Sequence, residues 1–349
     1  MQKANQEMKM IFFLSAITCI GILLIHVSSL FSETVTTPLV TADLPGVAMF
    51  AVIGGMLFVM LERSVGSDRK RFYRSGFVKI VLPFIGISIL YLAITKIVME
   101  ISIFTGWKTH VLDFAMGNSY FHLYLVAAAL QFYLIFPLLQ LIRSKMSWSI
   151  LLVISFVVNA YFLFVHSPDT ATVIGQILGQ KAILVKWIFF FVFGAFLAHH
   201  SELVQCIAKK LNWTGFASFI GIIGFIIYDR QAMGTSSWTF MLSIPILTIS
   251  LLAMYESIKK VILLDLFLEA IGRNTFGVYL IYPLVLFVFS TVLPEEMWSK
   301  GYFVLVFALV LGTSVFINKA MSLSTVKEAN KNGSVSHSYT MKTKELSVN

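Results

Sequence analysis

The chain has 349 residues, of which 58% are hydrophobic and only 12% are charged, and its mean hydropathy is +0.86. A water-soluble domain of this composition would have no place for its apolar surface. Composition therefore excludes a soluble enzyme and predicts an integral membrane protein.

Apolar runs of roughly 18 or more residues recur along the chain, and each is long enough to cross a bilayer as a helix. Only helices and closed barrels satisfy the backbone in lipid, and barrel strands would be shorter and would alternate. We therefore predict an all-α, polytopic integral membrane helical bundle with about ten transmembrane helices. The predicted spans are 10–31, 44–61, 77–99, 120–142, 148–165, 183–198, 213–228, 238–254, 263–292 and 301–316.

The distribution of basic residues predicts the orientation, because cytoplasmic loops of membrane proteins carry an excess of Lys and Arg. With the amino terminus inside, 20 of the 26 basic residues fall on the cytoplasmic side, and the others are Lys96, Lys108, Lys181, Lys186, Arg230 and Lys300. Both termini are therefore predicted to be cytoplasmic. We assign the net charge of +9 to topology and expect no nucleic-acid partner.

The first span carries a polar face that ends in a histidine. Ser15, Thr18, Ile22, His26 and Ser29 recur at helical spacing, and His26 lies about 16 Å along the helix axis from Ser15. This places His26 in the outer half of the bilayer. Burial favours a neutral imidazole, which can accept a proton from a hydroxyl. A packed histidine that is hydrogen-bonded to a neighbouring helix is an equally weighted alternative.

A basic hairpin, RSVGSDRKRFYRSGFVKIVLP, follows the second span. Its residues Arg71, Arg74 and Lys79 alternate with Phe72 and Tyr73. Such a hairpin could bind the phosphates of a nucleotide-bearing donor through charge and bidentate arginine contacts. Anchoring at anionic lipid headgroups is the alternative, and the sequence alone favours it.

Two later segments add polar residues at membrane depth, where such residues are costly unless they have partners or a function. GNSYFHLYLVAAALQFYLIFPLL places His122 at the outer edge and Gln131 deeper. EAIGRNTFGVYLIYPLVLF places Arg273 on the inner side and Tyr282 directly before Pro283. A Tyr–Pro pair late in a membrane helix frees a backbone carbonyl and often marks a kink beside a cavity.

The order of these segments resembles the acyltransferase-3 superfamily of membrane proteins over most of residues 8–320. Within it, the chain looks most like the branch that contains the intercellular-adhesion polysaccharide protein C. The resemblance implies an O-acyltransferase that moves an acetyl or succinyl group from cytoplasmic acyl-CoA to an extracytoplasmic polysaccharide or cell-wall glycan. It also implies a bacterial plasma membrane as the location, and glycan-synthesis proteins as candidate partners besides lipid, glycan and acyl-CoA.

The same resemblance implies the roles of individual residues. His26 would act at the reacting centre, and His122 and Tyr282 would lie near the acceptor. No metal is implied. The phosphates of the CoA donor would be bound by Arg71, Arg74, Lys79 and Arg273.

The chain departs from the family pattern at three positions. Ser15 and Gly76 stand where many members have a basic residue, and Tyr282 stands where many have His. These losses leave a second hypothesis open, a non-catalytic polysaccharide exporter or translocase, which would not need to bind CoA. An ion-coupled transporter is disfavoured, because the acidic residues lie mainly near helix ends and in loops.

The domain organisation is simple, because no long polar linker interrupts the spans. We predict one membrane-embedded domain over residues 1–320. From there the composition shifts to Ser, Asn, Lys and Thr, which predicts a disordered cytoplasmic tail over residues 321–349.

Overall fold

The computed structural model describes residues 2–31, 46–66, 68–98, 107–139, 141–142, 144–169, 171–228 and 238–331. Every regular element within these ranges is a helix, and they contain no strand. The predicted all-helical fold is thereby confirmed. Its physical cause is that a backbone surrounded by lipid must satisfy its hydrogen bonds within each segment.

The α-helices follow in chain order. They are α1 (Gln2–Ser28), α2 (Gly46–Val65), α3 (Arg69–Gly76), α4 (Leu82–Val98), α5 (Trp107–Ala115), α6 (Tyr124–Leu139), α7 (Lys145–Phe164), α8 (Val173–Gly179), α9 (Ile188–His199), α10 (Ser201–Tyr228), α11 (Trp238–Ile258), α12 (Ile262–Val292) and α13 (Phe303–Lys331). A π-helical segment, Phe77–Val81, joins α3 to α4, and 3-10 turns lie at Leu184–Lys186, Glu295–Trp298 and Lys300–Tyr302.

Many of these helices are suited to a bilayer. In the described part of the chain, 8 helical stretches are long and apolar enough to cross a membrane, and Tyr124–Leu139 and Thr214–Phe225 are shorter apolar helices. Taken together in chain order, these stretches coincide with the predicted spans. The chain is therefore a multi-pass membrane protein. The number of crossings and the side on which each terminus lies stay predictions.

The orientation can be tested directly with reporter tags. Reporters fused to the amino terminus and to the carboxyl terminus are both expected to give a cytoplasmic signal, because the basic residues concentrate on that side. A reporter inserted between α4 and α5 serves as the control and should give an external signal. An external signal from either terminus would contradict the predicted orientation and the cytoplasmic position of the basic hairpin.

Close helix contacts hold the bundle together around α1, which packs against α2, α11, α12 and α13. Gly272 permits the contact between α1 and α12, because a Cβ at this position would overlap a carbonyl oxygen of α1. The contact between α2 and α9 is permitted in the same way. A Cβ at Gly55 would overlap the Phe191 carbonyl, and a Cβ at Gly194 would overlap the Val52 carbonyl. Such close backbone packing stabilises helix pairs in lipid, where the hydrophobic effect does not.

The sixth predicted span, residues 183–198, does not begin as an α-helix: a 3-10 turn covers Leu184–Lys186 and α9 begins only at Ile188, after a stretch that separates it from α8. Backbone of this kind needs protein partners at membrane depth. Gln131 of α6 donates to the Ala182 carbonyl at 2.8 Å and accepts from the Leu184 N–H at 3.0 Å. Asn159 of α7 donates to the Lys186 carbonyl at 3.1 Å. Gln131 therefore has a structural role.

The last helix extends beyond the predicted end of the membrane domain. α13 continues to Lys331, so residues 321–331 are helical where disorder was predicted. This segment contains Ala, Glu and Lys, which extend a helix that the preceding residues have already nucleated. Residues 332–349 lie outside the described part of the chain.

Candidate functional site

Three of the candidate residues meet at one end of the bundle. The ring centroids of His26 and Tyr282 are 5.4 Å apart, and those of His122 and Tyr282 are 5.7 Å apart. His26 comes from α1, His122 from the turn before α6, and Tyr282 from α12. We call these three residues the outer cluster, because the predicted orientation places this end of the bundle outside.

The outer cluster combines deep burial with unused polar atoms. His122 is 3% exposed and Tyr282 is 0% exposed, whereas His26 is half-buried. The two ring nitrogens of His122 make no hydrogen bond to the described residues, and neither does the hydroxyl of Tyr282. Buried polar groups are normally paired. Buried polar atoms without partners are therefore a reason to treat the outer cluster as a candidate functional site.

A frame of tyrosines holds His122 in place. The rings of Tyr91 and Tyr279 each lie 5.3 Å from the His122 ring in an edge-on arrangement, and Tyr120 lies at 5.7 Å. The Tyr279 hydroxyl donates to the main-chain carbonyl of His122, and the Tyr91 hydroxyl donates to the Leu280 carbonyl at 3.0 Å. Sequence reasoning did not identify Tyr91, because its partner is 189 residues away and no local pattern connects the two.

The basic hairpin presents its cationic side chains outward. Arg71, Arg74 and Lys79 are all exposed. The aromatic residues of the hairpin point the other way, since Phe72 stacks on Tyr133 of α6 at 5.2 Å. The hairpin is therefore anchored by its aromatic side and leaves its basic side accessible to an anion.

Arg273 belongs to a different group of charges. Its guanidinium forms an ion pair with Glu269 one turn away and lies 5.0 Å from the centroid of the Phe12 ring. Glu269 also pairs with Lys9 of α1 at 3.3 Å. Arg273 thus joins an ion-pair network between α1 and α12, and none of its recorded contacts is with the hairpin. The assignment of Arg273 to the donor site receives no support from this geometry.

Sequence reasoning missed a cleft at the opposite end of the bundle from the outer cluster. Its volume is about 780 Å³. The residues that line it include Glu7, Met60, Arg63, Lys145, His199, His200, Ser201 and Glu202. We call it the inner cleft. Five helices contribute to it, and apart from the buried Glu7 its charged residues lie near helix ends.

The comparison with known protein families identifies the family of this chain. The family model described as "Acyltransferase domain" matches residues 13–319. The chain belongs to the acyltransferase-3 family. No curated protein and no solved structure matches it significantly. The family indicates membrane acyltransferase activity, and the matched residues include all of the outer cluster and the basic hairpin.

The structure also shows the surroundings of the three positions that the sequence analysis interpreted as departures from the family pattern. The Ser15 hydroxyl is buried and donates to the Ile11 carbonyl of its own helix at 2.7 Å. At Gly76 a Cβ would overlap the ring of Tyr133, so a side chain there would require this ring to move. Tyr282, the third departure, lies inside the outer cluster. Two of the three departures therefore remove a charge, and the third supplies a hydroxyl at the site.

Proposed function

We propose that this acyltransferase-3 family member transfers an acetyl or succinyl group from cytoplasmic acyl-CoA to a hydroxyl of an extracytoplasmic polysaccharide or cell-wall glycan. The observation that supports this proposal most strongly is the outer cluster, where two imidazoles and a phenol from three separate segments lie together. We place the chain in the branch that contains the intercellular-adhesion polysaccharide protein C, on the resemblance of its motifs.

The proposed reaction uses His26 as the general base. Its neutral imidazole accepts the proton of the acceptor hydroxyl while the hydroxyl oxygen attacks the thioester carbonyl carbon. A new C–O bond forms, the C–S bond breaks, and CoA leaves as its thiol after receiving the proton. Tyr282 and His122 donate hydrogen bonds to the carbonyl oxygen as negative charge develops on it. The acceptor's sugar ring would pack against Phe121, which is 55% exposed and lies 5.3 Å from the His26 ring.

The donor would have to reach across the bundle, because Glu7 at the inner end of α1 and His26 lie about 28 Å apart along the helix axis. A small apolar void of about 20 Å³ adjoins the inner cleft and is lined in part by Met10, Met56 and Met60. Methionine side chains are flexible and adapt to ligands, so we propose that these side chains move apart to pass the acyl-bearing arm of the donor.

Binding of CoA by the basic hairpin is tested by replacing Arg71 and Arg74 together with alanine. We expect the affinity for CoA to fall by about tenfold or more, because exposed guanidinium groups that contact phosphates are lost. High salt should weaken the wild-type affinity in the same direction. The measurement is titration calorimetry on the purified full chain. The matched control replaces Lys209 and Lys210, two exposed residues of α10, and should bind as wild type. Unchanged affinity in the hairpin variant would assign the hairpin to membrane anchoring.

The proposed reaction itself is tested in sealed inside-out vesicles that contain the chain and its glycan. Acetyl-CoA with a label in its acyl group is added outside the vesicles, where the cytoplasmic face of the membrane lies. The label should then appear on the glycan within the vesicle. The alternative function is a non-catalytic polysaccharide exporter, which the missing basic residues at Ser15 and Gly76 favour. Uptake of glycan that is added outside the vesicles, with no acylation of any glycan, would support the exporter and contradict the acyltransferase.

A further inference from the structure

We propose that the inner cleft binds a phosphate-bearing ligand on the cytoplasmic side of the membrane, at a site that does not include Arg71, Arg74 or Lys79 of the basic hairpin. The proposal rests on the orientation used for the proposed function, but it does not require acyl transfer. The cleft volume of about 780 Å³ lies within the range of roughly 300 to 1,000 Å³ that small-molecule sites occupy. It opens between the first residues of α1 and α7, the end of α2 and the junction of α9 with α10.

An ion pair between the buried Glu7 and the more exposed Arg63 forms part of the lining of the inner cleft. The side chain of Glu7 is 8% exposed and accepts hydrogen bonds from Arg63 at 2.9 Å and from Ser201 at 2.5 Å. Arg63 also donates to the Ala198 carbonyl at 2.8 Å. The carboxylate of Glu7 is thus neutralised by its partners. The guanidinium is held in one orientation and still has N–H donors for a ligand.

Lys145 adds a cation in an electrostatically unusual position. It is the first residue of α7, whose first turn has no acidic residue and whose N-cap, Ser144, makes no side-chain hydrogen bond to the helix. A cation at a helix N-terminus is unfavourable, because the helix dipole is positive there. Lys145 is exposed, and the described residues offer it no ion-pair partner within salt-bridge distance. A local conflict of this kind is expected where a residue serves a function.

Two imidazoles complete the lining. His199 stacks on Trp148 at 4.4 Å, and His200 stacks on Phe196 at 4.2 Å. The Nε2 atom of His199 is buried and has no hydrogen-bond partner among the described residues. Each ring is therefore fixed by an aromatic neighbour and can offer a polar edge to a ligand.

Phosphate is the chemical group that this set of donors fits best. A phosphate group has several strong acceptor oxygens and pairs well with guanidinium and ammonium groups. Of the two carboxylates in the lining, Glu7 is neutralised by Arg63, and the exposed Glu202 lies at the rim. The phosphate could belong to a nucleotide such as CoA or to an anionic lipid headgroup. Both sources share the same chemistry.

The test measures pyrophosphate binding by titration calorimetry to the full chain in phosphatidylcholine nanodiscs. Lys145→Ala should lower the affinity by about tenfold, and Lys145→Arg should retain it. Glu202→Gln should raise the affinity about threefold, because a like charge is removed from the rim. Lys260→Ala removes an exposed lysine outside the cleft lining and is the matched control. All of these variants are made in a chain that also carries the double substitution of Arg71 and Arg74, so that the basic hairpin does not contribute to the measured binding.

Competition identifies the source of the phosphate. Displacement of bound pyrophosphate by CoA supports a nucleotide as the source of the phosphate. Displacement that increases with the phosphatidic acid content of the nanodisc supports a lipid headgroup as the source. The proposal is overturned when wild type binds no pyrophosphate, or when Lys145→Ala and Glu202→Gln both bind as wild type. Pyrophosphate binding by a chain that acylates no glycan in vesicles would contradict the proposed function and leave the cleft site standing.

Discussion

Replacing His26 by alanine is expected to lower acyl transfer to the glycan by about 100-fold or more, because general base catalysis typically contributes roughly 10²- to 10⁴-fold. The residue is half-buried beside Phe121 and Tyr282. Its loss leaves the acceptor hydroxyl without a base. Labelled glycan formed per amount of purified protein in vesicles is the measurement.

A second substitution at the same position separates two roles. His26→Gln keeps hydrogen bonding but cannot exchange a proton near neutral pH. Activity lost in both variants favours proton transfer, whereas activity retained in the glutamine variant favours positioning. Membrane insertion and purified yield serve as the control and should stay near those of wild type. Wild-type acylation by the alanine variant would refute the catalytic interpretation and favour the exporter.

Adding one methyl group at Gly194 is expected to destabilise the whole bundle. The new Cβ would overlap the Val52 carbonyl of α2, so α2 and α9 would have to move apart. Overpacking of this kind costs about 1–3 kcal/mol. Thermal unfolding of the purified chain in detergent should show a lower midpoint for Gly194→Ala than for wild type.

The matched control for that substitution is Gly86→Ala in α4. Nothing lies within 4 Å of a Cβ built at Gly86, and alanine favours a helix over glycine by roughly 0.5–1 kcal/mol. The control should therefore unfold at the wild-type temperature or slightly above it. Equal unfolding temperatures for the two variants would show that the contact between α2 and α9 tolerates expansion.

The helical fold could be predicted because its cause is local. Lipid requires each crossing segment to be apolar and to satisfy its own backbone, and both properties can be read from a short stretch of sequence. The break between α8 and α9 could not be predicted in this way. It is stabilised by Gln131 and Asn159 through contacts with residues 51 and 27 positions away, so no local pattern reports it.

The candidate site was predicted in part. His26, His122 and Tyr282 were selected by residue type, by depth and by the family resemblance, and the structure brings them together. Their roles in catalysis stay predictions. Arg273 was grouped with the hairpin because both lie on the inner side of the predicted membrane, yet its partners are Glu269 and Phe12. Depth alone does not determine which helices are neighbours.

By itself, the sequence determined that this protein is a multi-pass helical membrane protein, and its motifs placed it in its family. These properties depend on composition, on the length of apolar runs and on the order of motifs along one chain. Only the tertiary structure showed the tyrosine frame around His122, the close approach of the Tyr133 ring to Gly76, and the inner cleft. Each of these depends on side chains from helices that are distant in sequence, and their distances are decided by how the helices pack.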